Sequence, residues 1–77
     1  MDSIEIIYRL RRAGYSQVAV AQELGVSRAN VNAVIHDKNR SRRIASRIAE
    51  IIGADIHLIW PDVYTEIPLT NARKPGQ

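Results

Sequence analysis

Residues 17–36 read QVAVAQELGVSRANVNAVIH, and the fold turns on what happens at the middle of that stretch. Val20 and Leu24 are four apart, as on one face of a helix, and Ala21 is small enough to let another helix approach closely. Gly25 then supplies a residue that tolerates positive φ where a helix must end. Two positions on, Ser27 is of the type that starts a helix, its hydroxyl accepting a backbone N–H of the first turn. From about Arg28 to His36 a new helix follows, with Val31, Val34 and Ile35 pointing inward.

Two short helices joined by a tight glycine turn, with a small residue beneath their crossing, make a helix-turn-helix. Counting from Gln17, the core positions Val20, Ala21, Leu24, Val26, Val31 and Val34 and the turn glycine Gly25 all hold suitable residues. Any one of these matches is weak, since helical hairpins with glycine turns are common. Their joint occurrence points to a DNA-binding unit rather than a plain structural hairpin.

The rest of the chain reads as helix as well. Asp2 or Ser3 caps a first helix that Gly14 ends, with Ile4, Ile7 and Tyr8 on one face and Ile6 and Leu10 flanking it. Ser16 caps the second. A fourth begins near Ser41, with Ile44, Ala45, Ile48, Ile51 and Ile52 inward and Gly53 as its stop. Asp55 caps a short fifth helix that ends at or before Trp60, because Pro61 disfavours α geometry in the residue before it. Trp60 is expected to seal the end of the bundle, with Tyr8 and Tyr64 in the same role. Residues 65–77, TEIPLTNARKPGQ, carry two prolines and no periodicity and are expected to form a flexible, disordered C-terminal tail. The expected architecture is an all-α, compact bundle of about five short helices over residues 1–64.

Composition narrows the function. Seventy-seven residues make one small domain. With no cysteine, neither a disulfide nor a thiolate zinc site can form, and a reducing cytoplasm fits. No apolar run approaches the roughly 20 residues of a membrane span, and the N-terminus lacks signal-peptide character. Residues 1–49 hold nine basic side chains against four acidic, whereas residues 50–77 hold two against four. Within residues 28–47 six basic side chains face the single acid Asp37, an excess that attracts a polyanion.

Helical geometry then separates two sets of candidates. With Val31, Val34 and Ile35 inward, the 100° step sends Ala29, Asn32, Ala33 and His36 outward and leaves Arg28 at the exposed N-terminal edge. These are the expected base readers. Arg28 suits guanine O6 and N7, Asn32 suits adenine N6 and N7, and Ala29 or Ala33 can lie against a thymine methyl. Arg28 also opposes the helix macrodipole where it stands, which favours a functional reason for it. His36 is further along, within reach of backbone or an outer base. Ser16, Gln17 and Ser27 are expected at phosphates, and Lys38, Arg40, Arg42 and Arg43 as phosphate clamps that give affinity rather than sequence choice. No metal site is expected from His36 and His57, nor any cofactor or small-molecule ligand.

The helix order, the motif at 17–36 and above all RIAEIIGADIHLIWPDVY, residues 47–64, resemble the Ner regulators of transposable bacteriophages and their bacterial Ner-like (Nlp) relatives. The resemblance covers roughly residues 4–64, with Ile59–Tyr64 its most specific part. It implies a lambda-repressor-like domain that binds operator DNA in a bacterial host and represses early phage transcription; the expected mechanism is occlusion, with the third helix in the major groove. By position it also implies contacts from Gln17, Ser27, Arg28, Ala29, Asn32, Ala33 and His36. One reading helix spans about half a site, so tight binding suggests a second copy of the chain on the same double-stranded DNA. The competing classes are a small helical protein-interaction module such as an antitoxin or anti-activator, a membrane-surface peptide, and, least favoured, an enzyme, for which no nucleophile, base and orienter come together.

Overall fold

The structure, a computed structural model, describes residues 1–61. Five helices follow one another there: α1 Ser3–Arg12, α2 Gln17–Leu24, α3 Arg28–Ile35, α4 Arg42–Ile52 and α5 Ile56–Ile59. No strand occurs among the described residues. The expected tail at 65–77 and the packing role of Tyr64 lie outside them.

Each helix starts as its sequence dictates. Asp2, Ser16, Ser27, Ser41 and Asp55 sit in extended geometry before the first helical residue, and the side chain of each accepts a first-turn backbone N–H. The first four helices also end alike. Tyr15 N donates to Leu10 O, Val26 N to Ala21 O, Lys38 N to Ala33 O and Ala54 N to Ala49 O, and the residue before each donor bonds across three positions instead of five. This closure needs one residue of left-handed backbone. Gly14, Gly25 and Gly53 supply it at φ 88°, 70° and 70°, and Asp37 supplies it after α3 at φ 60°.

The core gathers the faces these caps orient. Ile6 and Leu10 of α1, Val20 and Ala21 of α2, Val31, Val34 and Ile35 of α3, and Ile44, Ala45, Ile48 and Ala49 of α4 are buried together with Ile59 and Trp60. Leu24, Val26, Ile51 and Ile52 pack against this cluster from its margin. Trp60 therefore seals the bundle as expected.

The α1 face differs from the sequence expectation. Ile6 and Leu10 are the buried pair, while Ile4 is 78% and Tyr8 56% exposed. Tyr8 instead accepts a bond from Arg12 Nη1 at 3.0 Å, with that guanidinium over its ring. Ile7 of the expected stripe still packs at the margin of the core, but Ile4 and Tyr8 turn outward, and packing against α3 and α4 buries Ile6 and Leu10 instead.

Arg47 ties three elements. Its Nη2 donates to Tyr15 Oη at 3.2 Å, its Nη1 to Glu50 at 3.2 Å, and its Nε lies 2.9 Å from the Glu23 carboxylate. The bonds to Glu50 and Glu23 raise its pKa further above its ordinary value, so it stays charged throughout the range in which proteins fold.

Candidate nucleic-acid interface

The turn between α2 and α3 is built from both sides. Gly25 N donates to Gln22 O at 3.3 Å and Val26 N to Ala21 O at 3.0 Å, closing α2. The Ser27 hydroxyl accepts from Asn30 N at 3.1 Å, opening α3. Ala21, only 4% exposed, lets the two helices meet closely. From α4, Arg43 Nη2 reaches across and donates to Leu24 O at 2.7 Å, binding an otherwise unpaired carbonyl at the end of α2.

With Val31, Val34 and Ile35 buried, α3 turns the opposite side outward. Arg28, Ala29 and His36 are exposed, and Asn32 and Ala33 are half-buried. Two amide pairs flank this face. On one edge Asn32 Nδ2 donates to Gln17 Oε1 of α2 at 3.2 Å. On the other Asn39 Nδ2 donates to Asn30 Oδ1 at 3.3 Å, drawing the segment after α3 back along the helix. Ala33 O accepts from both Lys38 N at 2.8 Å and Asn39 N at 3.3 Å, which accounts for the partial cover of Ala33.

Among the expected phosphate groups, Ser16 and Ser27 use their oxygens as helix caps and keep a hydroxyl hydrogen to donate. Gln17 retains its amide N–H groups while its oxygen holds Asn32. Lys38, Arg40 and Arg42 are exposed on the segment running from α3 into α4. Arg43 is exposed as well, yet it is anchored on the end of α2. Arg28 lies on the α3 edge that faces α2, where it lines a cleft with Arg11, Ser16 and Gln17.

Sequence reasoning missed three polar residues of this surface, Arg11, Asn30 and Asn39. For Asn30 and Asn39 no local signal existed, because their bond spans nine residues and joins α3 to the segment after it. For Arg11 none did, because its neighbours in the cleft come from α2 and α3.

Among the described residues no cluster of three or more His, Cys, Asp or Glu could hold a metal ion, and no helix is long and apolar enough to cross a membrane. A glycine turn, a recessed small residue beneath the crossing and an exposed second helix beside a basic segment define a helix-turn-helix DNA-binding domain. The model of the family described as winged helix-turn-helix DNA-binding matches residues 1–74, and the chain belongs to that family. The described residues contain no strand and hence no wing. No curated protein and no solved structure matches the chain.

Proposed function

We propose that the domain is a sequence-specific, double-stranded DNA-binding transcriptional regulator of the Ner-like kind, repressing early phage or prophage genes by occupying an operator. It would act in the cytoplasm of a bacterial host, on the nucleoid. The observation that carries this reading is the outward face of α3, where Ala29, Asn32, Ala33 and His36 lie between the capped start of α2 and the basic segment 38–43. Laid in a major groove, Asn32 meets an adenine edge and the two alanines admit thymine methyls. Lys38, Arg40, Arg42 and Arg43, with Ser16, Gln17 and Ser27, hold the flanking backbone. A second copy on the same DNA extends the half-site to a full operator. Arg28 stands at the edge of this face, in the cleft it shares with Arg11, Ser16 and Gln17.

Selection of random duplex DNA by the full chain at near-physiological salt tests the proposal. A defined motif with two halves at fixed spacing is expected. A folded sample that enriches no motif overturns sequence-specific regulation and favours a protein-interaction module, for which the exposed Ile4 and Tyr8 offer contact surface.

A further inference from the structure

Arg11 of α1, outside the 17–36 motif, and Arg28 of α3, within it, line one cleft with Tyr15, Ser16 and Gln17. Among the described residues they are the only charged members of that lining, with no acid beside them there. Among the described residues neither side chain makes a hydrogen bond or ion pair, in contrast to Arg9, which is held by Glu5, and Arg12, which is held by Tyr8. The α1 helix thus divides its arginines. Arg11 stands toward α2, on the side of Ile7, and Arg9 and Arg12 line the opposite side of the helix with Glu5 and Tyr8. The cleft holds about 190 Å³, less than the roughly 300–1,000 Å³ of pockets that take drug-sized ligands.

We propose that Arg11 and Arg28 together grip one backbone phosphate of the bound duplex, so that the DNA footprint extends onto α1 and Arg28 serves affinity rather than guanine reading. Two guanidinium groups approaching from different helices match the several oxygens of a phosphate diester. The Ser16 hydroxyl and the Gln17 amide on the same wall can donate to it as well. The inference rests on DNA binding as proposed above and gives the same surface one more contact, outside the helix-turn-helix itself.

The test measures binding of the full chain to two duplexes, one enriched by selection and one of random sequence, over a series of salt concentrations. Arg11→Ala and Arg28→Ala are each expected to weaken both duplexes by the same factor and to flatten the log–log salt slope by about 0.9 for a single phosphate at most. Together they should lose less than the product of the single losses, because they share that phosphate. Arg11→Lys should keep most of the slope. A methylphosphonate at the gripped position should make wild type and Arg11→Ala bind alike. An unchanged slope in Arg11→Ala, or a loss in Arg28→Ala confined to the selected duplex, overturns the shared grip. If wild type binds neither duplex, the DNA-binding reading itself falls; if it binds random DNA with a steep slope but selects no motif, only sequence specificity falls, and the arginine grip is still decided by the slopes.

Discussion

Asn32 on the outward face of α3 is held from α2 by Gln17, amide to amide, at 3.2 Å. The bond leaves Asn32 Oδ1 and one Nδ2 hydrogen for a base and leaves the Gln17 Nε2 hydrogens for the backbone. In the proposed reading, a residue that reads sequence is thereby held by one that positions the helix.

Gln17→Ala and Asn32→Ala are therefore expected to be coupled in binding. On the preferred duplex each single change weakens binding, and a double-mutant cycle should give an interaction energy of about 0.5–1 kcal/mol. On random DNA the coupling should vanish. Thermal stability should move by no more than about 1 kcal/mol, as for an ordinary side-chain hydrogen bond.

At Gly25 the backbone alone is at stake. An added Cβ would meet nothing within 4 Å, but φ is +70°. Gly25→Ala is expected to cost about 1 kcal/mol, lowering the Tm by about 4–8 °C for a domain of this size. Gly25→Asn should cost less, because asparagine tolerates left-handed geometry. Equal Tm values for the two variants would show that handedness is not what the position requires.

Asp37 fills the corresponding position after α3 without being glycine. Asp37→Gly should raise stability by about 0.5–1 kcal/mol through the same backbone effect. It also removes the one acid within residues 28–47, so affinity for any duplex should rise at low salt. Asp37→Asn separates the two, reproducing the gain in affinity with a smaller gain in Tm.

The rotation of α1 is open to a paired comparison. Ile6→Ala removes a fully buried side chain and should cost about 2–5 kcal/mol. Ile4→Ala, at 78% exposure, should stay within about 0.5 kcal/mol of wild type. Denaturant unfolding of both variants checks this, and comparable losses would place Ile4 in the core.

These contrasts mark where the sequence was legible. Every helix start was readable, because serine and aspartate cap through their own side chains and need no distant partner. The ends at Gly14, Gly25 and Gly53 were readable for the same local reason. The end of α3 at Asp37 carried no such mark. On α1 two apolar stripes competed. The stripe through Ile4 and Tyr8 continues into Arg11 and Arg12, whereas the stripe through Ile6 and Leu10 continues into Ala13. Following the stripe one turn further would have favoured Ile6 and Leu10. The outward set on α3 followed from helical periodicity alone. Its flanking bonds did not, since Gln17 with Asn32, Asn30 with Asn39 and Arg43 with Leu24 O each join different elements.

The caps described at both ends of α1 to α4 also bear on time. Each such helix carries its own start and stop within a few residues, so its bounds are set locally even though helices of 8 to 11 residues need the core to persist. Helical domains assembled from such local signals reach their native state in about microseconds to milliseconds. The domain is thus expected to refold in a single phase within about milliseconds, with the docking of its helices rather than the setting of their bounds as the slow step.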